Sequence, residues 1–402
     1  MMATIELLAP AGNLEKAKIA LIYGADAVYV GGKVFSLRAR ASNFTIQDIQ
    51  VLCQFAHQRN KRVYVTTNMI PHDEDMQQVD DYLIALRDAK VDAIITSSIQ
   101  LIQRAKEVAP EMERHVSTQM SIANHYAIDF YKELGCSRVV LAREVSLDEM
   151  KAIKKHTSVD LEVFIHGGMC CSYSGRCVLS NHLTNRDANR GGCAHSCRWN
   201  YHLYQQEKPL ENEDVFFNMG SKDLMAIRFI PQFIDLGIAS LKIEGRMKST
   251  YYLATVVRCY RKIIDQYLST KQVTENDYLE FEKEIGKAEN RLTSIGFLNG
   301  DVTIQEQLYD TREEHPTKEY IGRVISYDEL EQVATIEQRN YFEVGDLVEF
   351  FGPHLDNTTF VITSIVDDET GESLDVARHP LQKLKIKVPF LLAENDMMRK
   401  VK

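Results

Sequence analysis

A repeating alternation of short apolar segments with helical stretches runs through the first 246 residues of this chain. The apolar segments are rich in β-branched residues, and a Gly or Lys often turns the chain just before them. Strands that are apolar on both faces and alternate with amphipathic helices are typical of a parallel sheet that helices cover. The predicted strands span residues 5–12, 23–32, 61–68, 90–98, 113–121, 134–143, 160–167 and 236–246.

Eight strand–helix units predict an α/β protein built on a TIM-type (β/α) barrel, and an open doubly wound sheet is the alternative. Some helix starts carry local signals as well. Thr45 with Asp48, and Ser146 with Glu149, have the spacing of capping boxes, in which side chains satisfy the first free N–H groups of a helix. We therefore expect helices to begin after Thr45 and Ser146.

The pattern changes after the eighth strand. An apolar face with helical spacing runs from Leu253 to Tyr267, a charged helical stretch follows, and short alternating strands begin at Tyr320. These features predict an added helical segment and a small C-terminal all-β domain of barrel or sandwich type. The predicted boundaries are 1–292 for the TIM-like barrel, with a cysteine-rich insertion at 166–200, 293–317 for a linker and 318–402 for the β-domain.

Composition limits the classes of protein that the chain can belong to. It has 402 residues, 45% of them hydrophobic, which is enough to bury a sizeable core. The net charge of −10 argues against a general electrostatic grip on nucleic acid, so an RNA partner requires a local basic patch. The N-terminus lacks the pattern of a secretory signal, and no apolar run approaches the roughly 18 residues of a membrane span. We expect a soluble cytoplasmic protein with no membrane partner.

Five of the eight cysteines lie between residues 162 and 199. Four of them follow the spacing C-x6-C-x15-C-x3-C, and thiolates at such spacing suit zinc or an iron–sulfur cluster. Because only the last pair is close, the pattern favours iron–sulfur over a structural zinc site, and a disulfide is the weaker alternative in the cytoplasm. The predicted ligands are Cys170, Cys177, Cys193 and Cys197, with Cys171 as an extra cysteine that is not a ligand. Cys53, Cys136 and Cys259 are expected to be buried as small hydrophobic residues.

Polar side chains follow the carboxyl ends of the predicted strands, where the chemistry of a TIM barrel takes place. Each one alone is equally well explained as a solvated loop end, but together they predict a polar site. The candidates for substrate binding are Asn13, Arg38, Arg40, Asn68, Gln119 and Arg143. The candidates for catalysis are His166, Lys242, Glu244 and Arg246.

The charges of the eighth strand alternate with Ile243 and Gly245, so Lys242, Glu244 and Arg246 share one face. If that face were outward, three charges would lie against the apolar helix layer, at a cost of roughly several kcal/mol. We therefore expect all three to face the barrel mouth, where Glu244 would hold Lys242 or Arg246.

The cysteine-rich segment also carries basic and aromatic residues. Four arginines could form a local basic surface with Arg246 and Lys248, although a salt bridge explains each of them individually: Arg176, Arg186, Arg190 and Arg198. Trp199 and Tyr201 are candidates for stacking on a splayed base, with packing under the cysteine segment as the alternative.

The stretch EVFIHGGMCCSYSGRCVLS at 162–180 resembles the signature of the collagenase-like peptidase family U32. Gly168 departs from the small Ala or Ser that is usual there. The resemblance extends to LLAPAGN, GADAVYVGG, HVSTQ, NRGGCAHSCRW, SKDL, SLKIEGRMKS and the C-terminal IEQRN, and so covers nearly the whole chain.

The family members that look most like this chain are bacterial tRNA hydroxylation proteins. They are associated with prephenate-dependent formation of 5-hydroxyuridine at the wobble position and carry an iron–sulfur cluster, and related members hydroxylate ribosomal RNA or ubiquinone precursors without oxygen. The resemblance thus implies an RNA-modifying hydroxylase with a 4Fe–4S cluster, prephenate as co-substrate and tRNA as partner, with a paralogous subunit as a further partner. Arg38, Arg40, or Arg246 with Lys242 would bind the prephenate carboxylates.

Two alternatives stay open. A peptidase would need a nucleophile such as Cys171 or Cys197 with His166 or His195 as base, since the chain has neither H-E-x-x-H nor G-x-S-x-G. A thiolate cluster with metal-like spacing is better explained by ligation than by one nucleophile among five. The second alternative is a non-catalytic iron–sulfur RNA-binding subunit.

Overall fold

The computed structural model describes residues 5–37, 43–210, 216–289, 291–308 and 320–401. Its first strands are β1 (Glu6–Pro10), β2 (Ala27–Gly31), β3 (Arg62–Thr67), β4 (Ala93–Thr96), β5 (Glu113–Val116), β6 (Arg138–Val140) and β7 (Asp160–Gly167). After them come the hairpin β8 (Tyr204–Gln205) and β9 (Lys208–Pro209), then β10 (Asp223–Met225) and β11 (Ser240–Ile243).

Strands β1 to β7 and β11 form a closed parallel barrel. Each of the first six strands pairs in parallel with the next, and β11 pairs in parallel with both β7 and β1. Strand β10 runs antiparallel to β7 and, with β12 (Thr293–Ser294), extends the sheet at one side. The TIM-type prediction is confirmed, because the closure by β11 leaves no open edge of a doubly wound sheet.

The helices surround the barrel, and the capping boxes at Thr45–Asp48 and Ser146–Glu149 form as predicted. None of the helices in the described part of the chain combines the length and the apolar composition that a membrane crossing requires. The helices are α1 (Leu14–Ile22), α2 (Ile46–His57), α3 (Asp73–Met76), α4 (Val79–Asp88), α5 (Ile99–Val108), α6 (His125–Glu133), α7 (Leu147–Lys154), α8 (Leu179–Thr184), α9 (Ile230–Leu236), α10 (Thr250–Thr270) and α11 (Glu275–Gly286).

A second sheet begins at Tyr320. Eight of its strands pair antiparallel in the order β17-β16-β22-β13-β14-β21-β18-β19 around a separate apolar core. The last strand, β22, has no alternating pattern because both of its faces are covered, with Met397 in the core of the barrel and Met398 in the core of the second sheet, and the sequence did not reveal it. The strands are β13 (Tyr320–Asp328), β14 (Val333–Gln338), β15 (Phe342–Glu343), β16 (Leu347–Phe351), β17 (Thr358–Val361), β18 (Ile365–Asp367), β19 (Ser373–Leu374), β20 (Val376–Ala377), β21 (Lys383–Lys387) and β22 (Met397–Lys400).

Helix α10 joins the two sheets. Its predicted apolar face is buried, and at its first turn the ring of Tyr251 packs edge-on against Phe351 of β16. Phe351 belongs to the core of the barrel although it comes from the second sheet. The guanidinium of Arg399, in β22, lies 4.5 Å from the centre of the Phe351 ring, and Nε of Arg399 donates to Glu349 at 2.6 Å. The interface is therefore a buried aromatic contact bordered by paired charges.

We predict that Phe351→Ala will lower the free energy of unfolding by about 3–5 kcal/mol, since it empties a buried ring site that both sheets share. Urea denaturation of the full chain would measure this loss. The control is Leu330→Ala, because Leu330 is 95% exposed and its loss should leave the midpoint unchanged. Equal midpoints for Phe351→Ala and the parent protein would show that the interface contributes little to stability.

Candidate functional site

The barrel encloses a network of buried charges in place of the usual apolar layers. Lys242 of β11 donates to Glu162 of β7 at 2.7 Å, and Glu162 is fully buried. Arg138 of β6 lies 3.4 Å from the same carboxylate and 2.6 Å from Glu6 of β1. Glu162, rather than the expected Glu244, is thus the carboxylate that holds Lys242, and the network ties four strands together.

The pKa values of the network follow from burial and pairing. Burial alone would raise the pKa of Glu162, but Lys242 and Arg138 more than offset this effect and lower it. Burial lowers the pKa of Lys242, and Glu162 offsets only part of that change. The ammonium of Lys242 also lies over the rings of Tyr29 and Phe164, at 4.5 Å and 5.4 Å from their centres. Lys242 is therefore part of the floor of the barrel mouth.

Arg246 lies above this floor. Its side chain is buried, and Nη1 donates to the hydroxyls of Ser36 at 3.0 Å and Thr66 at 3.3 Å. Gly31 makes room for it, because a Cβ at that position would stand 1.9 Å from Nη1. The guanidinium thus reaches across the ends of β2 and β3 inside the mouth. The neighbouring candidates Arg38 and Arg40 lie outside the described residues.

Arg143 connects the mouth to the cysteine segment, residues 166–200. Its guanidinium stacks 3.7 Å from the centre of the Phe164 ring, the ring that also faces Lys242, and Nη1 donates to Ser174 at 2.9 Å. Gln119 also borders the cysteine segment, because a Cβ on Gly175 would stand 2.2 Å from the Gln119 carbonyl oxygen. The cysteine segment therefore packs against the barrel at the ends of β5 and β6.

The two candidate asparagines differ in role. Asn13 is the N-cap of α1, and its Oδ1 accepts from the backbone N–H of Lys16 at 2.9 Å. This capping role explains an asparagine at position 13, and no ligand is needed to explain it. Asn68 follows β3, and its Oδ1 is shielded from solvent with no hydrogen-bond partner among the described residues. Of the two, Asn68 is the one placed to bind a ligand.

His166 lies on the helical side of the barrel wall and not in the mouth. Its Nδ1 is 3.2 Å from the Tyr260 hydroxyl of α10. Oε1 of Glu289 is 2.9 Å from Nε2 without the alignment of a hydrogen bond. The cause is a register shift, which pairs Lys242 with Phe164 but Ile243 with His166. Strand β7 thus has one extra residue at this point, Ile165. Beyond it the inward and outward directions of the side chains are exchanged, and His166 points outward.

Glu244 is half-buried at the base of the cysteine segment. A Cβ on Gly167 would stand 2.6 Å from its carbonyl oxygen, and one on Gly168 would stand 3.4 Å from its Oε2. The two glycines therefore allow the chain leaving β7 to pass close to the chain leaving β11. Of the four catalytic candidates, Lys242 and Arg246 face the barrel interior, Glu244 borders the segment, and His166 faces the helices.

Of the five clustered cysteines, Cys170 and Cys171 are exposed and the other three are half-buried, whereas the three cysteines outside the segment are buried as predicted. The Cys171 thiol is hydrogen-bonded to Cys197, which lowers the pKa of Cys197 to about 6 against the effect of burial, with help from Arg198. The pKa of Cys171 is raised by the same bond. In the described part of the chain, no three Cys, His, Asp or Glu side chains stand close enough together to hold a metal ion. The segment thus has soft donors that are close but not gathered into a preformed site.

The arginines of the segment mostly hold it in place. Arg190 donates to the backbone oxygen of Ile70 at 2.6 Å and to Asp75 at 2.7 Å. Arg186 donates to the carbonyl of Cys193 at 3.2 Å. The basic surface predicted from them is accordingly reduced, as these two guanidiniums already have partners. Tyr201 packs under the segment, donating to Ser196 at 2.7 Å, while Trp199 is 42% exposed.

Sequence comparison places this architecture among known proteins. The model of "Peptidase family U32" matches residues 12–308, and that of "Peptidase family U32 C-terminal domain" matches residues 316–399. The chain belongs to peptidase family U32. It is 48% identical to the tRNA hydroxylation protein P1 of Bacillus subtilis, over 99% of this chain and 95% of that one.

Two other family members are more distant. The tRNA hydroxylation protein P of Escherichia coli is 31% identical, over 92% of this chain and 91% of its own length. A protein named collagenase from Porphyromonas gingivalis is 32% identical, over 90% and 89%. The family thus includes proteins named for RNA hydroxylation and for peptide hydrolysis, so the residues of the site must decide between the two activities.

Two features of the site were not found from the sequence. Asp223 of β10 is buried, and three cations surround its carboxylate, namely Arg198 at 3.6 Å, Arg291 at 3.5 Å and Lys248 at 3.8 Å. Beside it lies a cavity of about 300 Å³, which we call the segment cavity. Its walls include Cys170, Cys171, Phe217, Lys222, Phe297 and Gln307. The family motif SKDL, at 221–224, was the one available signal, since it carries both Lys222 and Asp223.

We predict that Glu162→Gln will lower the free energy of unfolding at pH 7 by about 3–5 kcal/mol, because Lys242 and Arg138 would lose their buried counter-charge. The pKa of Glu162 is lowered by folding, so its stabilisation is present above the unfolded pKa of about 4.3 and is lost as the pH falls through the folded value. The difference in the free energy of unfolding between the variant and the parent protein should therefore become smaller at acidic pH. Urea denaturation at several pH values would measure it.

The matched control is Asp148→Asn, which removes the exposed pair of Asp148 with Lys151 and should not change the midpoint. A deficit for Glu162→Gln as small as that of the control would show that the buried network does not stabilise the barrel.

Proposed function

We propose that this protein is an RNA-modifying hydroxylase that forms 5-hydroxyuridine at the wobble position of tRNA, without oxygen and with prephenate as co-substrate. The observation that carries the proposal is the 48% identity to the tRNA hydroxylation protein P1 over almost the whole of both chains. Identity of this extent covers the barrel, the cysteine segment and the C-terminal sheet together. The use of prephenate and a paralogous partner subunit is part of the proposal.

The barrel mouth supports an anionic co-substrate. Prephenate carries two carboxylates, and arginine offers a planar fork that binds carboxylates through two parallel hydrogen bonds. Arg246 lies inside the mouth, and Arg143 lies at its edge over Phe164. Lys242 is bound to Glu162, so its charge is already balanced and we assign it a structural role in the floor. We therefore assign the carboxylates to Arg143 and Arg246, with Asn68, at the end of the strand whose Thr66 contacts Arg246, as a further polar group.

We further propose that Cys170, Cys177, Cys193 and Cys197 bind a 4Fe–4S cluster. Thiolate is the donor that such clusters require, and these cysteines lie on one segment at the rim of the barrel. When bound, a cluster would supply one-electron chemistry beside the mouth. Because the thiols are not gathered into a preformed site, binding would have to close the segment around the cluster, which couples the order of the segment to its metal.

The peptidase alternative has less support from the site. A cysteine peptidase needs a histidine whose ring nitrogen can accept the thiol proton. His166 is fully buried, and its two ring nitrogens face Tyr260 and Glu289 on the side of α10. This position removes His166 as a base for the thiols of Cys171 and Cys197. The other candidate base, His195, is exposed two residues before Cys197, so the peptidase alternative is reduced to that pair.

We predict that protein purified without air will contain four iron atoms and four sulfides per chain, as a 4Fe–4S cluster has. Cys193→Ser should lose most of this iron, while Cys171→Ser should keep it, because Cys171 is assigned only a hydrogen bond to Cys197. Iron and sulfide analysis with visible absorption spectra would measure the content. Stoichiometric zinc in place of iron, or equal iron loss from both variants, would refute the assigned ligand set.

We predict that deleting the gene will remove 5-hydroxyuridine from cellular tRNA, and that a plasmid copy carrying Arg246→Ala will not restore it. The variant loses the guanidinium inside the mouth, whereas Arg246→Lys keeps a cation and should restore part of the modification. Mass spectrometry of tRNA nucleosides would give the levels.

The control for this experiment is Arg228→Ala. Arg228 pairs with Glu275 and Glu282 on the outer helices, far in the fold from the mouth, so its loss should leave modification at the parent level. Normal 5-hydroxyuridine from a soluble Arg246→Ala protein with full cluster content would exclude Arg246 as a substrate anchor. Normal levels in the deletion strain would refute the function itself.

A further inference from the structure

We propose that the segment cavity receives the target base of the RNA, turned out of its strand, and that Phe217 and Phe297 hold it by stacking. This inference rests on the proposed function and adds to it the place where the uridine binds. The cavity lies between the cysteine segment and the chain that follows α11, on a different part of the surface from the carboxylate anchors of the mouth.

The walls of the cavity suit a flat, neutral ring. Two aromatic rings, of Phe217 and Phe297, and the thioethers of Met169 and Met219 line a volume of about 300 Å³. Enzymes that modify a base commonly bind it outside the helical stack, in a close pocket between aromatic or apolar side chains. Phe217 is fixed in place, because its backbone N–H and C=O both bond to Tyr201 at 2.8 Å. The ring is therefore presented by a rigid piece of backbone.

Polar groups in the same cavity match the edge of a pyrimidine. Gln307 is a wall residue, and it pairs with Ser221 across an isolated β-bridge, which fixes its backbone at the edge of the cavity. Its amide has an oxygen that can accept a hydrogen bond and an NH2 group that can donate one. Uracil offers a ring N–H beside two carbonyl oxygens, so this one amide can accept from the N–H and donate to a neighbouring oxygen. The Ser221 hydroxyl lies behind the wall, shielded from solvent and without a hydrogen-bond partner among the described residues.

The surroundings of the cavity suit a phosphate. Arg198, Arg291 and Lys248 surround the carboxylate of Asp223. The carboxylate of Glu244 is also close, because a Cβ on Gly168 would stand 3.4 Å from Glu244 Oε2 and 4.0 Å from Asp223 Oδ1. Three cations thus face two carboxylates, and the cluster keeps an excess of positive charge. Arg198 also joins the cluster to the cavity wall, since it donates to the carbonyl oxygens of Met169 at 3.2 Å and Ser221 at 3.4 Å. A nucleotide whose base enters the cavity would thus carry its phosphate toward these cations.

The charges inside the cavity argue against the dicarboxylate as its occupant. Lys222 and Glu306 are the charged side chains of the wall, and they are of opposite sign. The hydrogen bonds from Thr303 lower the pKa of Glu306, which favours its ionised form. A dianion would therefore meet a carboxylate here, whereas the barrel mouth offers Arg143 and Arg246. The neutral base and the anionic co-substrate are accordingly assigned to different pockets, the segment cavity and the barrel mouth.

The experiment compares two short anticodon stem–loop RNAs, one with uridine at the wobble position and one with an abasic site there. Binding to the full-length protein is measured by fluorescence anisotropy at one fixed salt concentration. The parent protein should bind the uridine hairpin about tenfold more tightly, the size expected for one base stacked on an aromatic ring. Phe217→Ala and Phe297→Ala should bind the uridine hairpin only as well as the abasic one, without weakening binding of the abasic hairpin.

Two further variants keep the result interpretable. Phe360→Ala removes a half-buried phenylalanine from the C-terminal sheet and should retain the tenfold preference, which controls for the loss of any aromatic ring. Gln307→Ala removes the proposed edge contact without emptying a ring site, so it should reduce the preference even if a phenylalanine variant folds poorly.

The outcomes separate this inference from the proposed function. A parent protein that restores 5-hydroxyuridine in cells yet binds both hairpins equally would overturn the base-binding cavity and leave the function standing. A protein that binds neither hairpin and restores nothing would overturn both. Weaker prephenate binding by Phe217→Ala, with an intact preference for the uridine hairpin, would instead assign the cavity to the co-substrate.

Discussion

The buried contact of Lys242 with Glu162 is the interaction on which the rest of the site depends. It joins β11 to β7 at the closing seam of the barrel, and Arg138 extends it to Glu6 of β1. Desolvating these charges is costly, so the network persists only because each charge has a close partner. In return the barrel has a floor of balanced, paired charges, above which Arg246 and Arg143 stand at the mouth, and the cysteine segment leaves β7 directly beside it.

Most of the fold could be predicted from the sequence because its signals are local. The eight strand segments can be recognised from their short apolar runs. The capping boxes at Thr45 and Ser146 mark helix starts, because each box is formed by residues that are close together in the chain. The inward direction of Lys242 also follows from simple alternation along β11. Arg246 lies in a turn beyond the end of that strand, and Glu244, which the same alternation would send into the mouth, borders the cysteine segment instead. Strand β22 was missed because both of its faces are covered, one by the barrel and one by the core of its own sheet, so that it has no alternation to detect.

The details of the site depend on contacts between residues far apart in sequence, and these could not be predicted. Alternation along β7 places His166 in the mouth, but the irregular pairing next to Ile243 turns it toward Tyr260. Alternation within one strand suggests Glu244 as the partner of Lys242, whereas the partner comes from a strand 80 residues earlier. The Asp223 cluster and the segment cavity likewise combine the cysteine segment with the chain after α11, which no local pattern brings together.

The most direct test of the central claim is the reaction itself. Full-length protein purified without air would be incubated with tRNA from the deletion strain, prephenate and an extract of that strain to supply any partner, and the nucleosides would be quantified by mass spectrometry. We predict that 5-hydroxyuridine accumulates in proportion to the added protein and only when prephenate is present. No 5-hydroxyuridine from cluster-loaded protein under these conditions, or equal amounts without prephenate, would contradict this assignment.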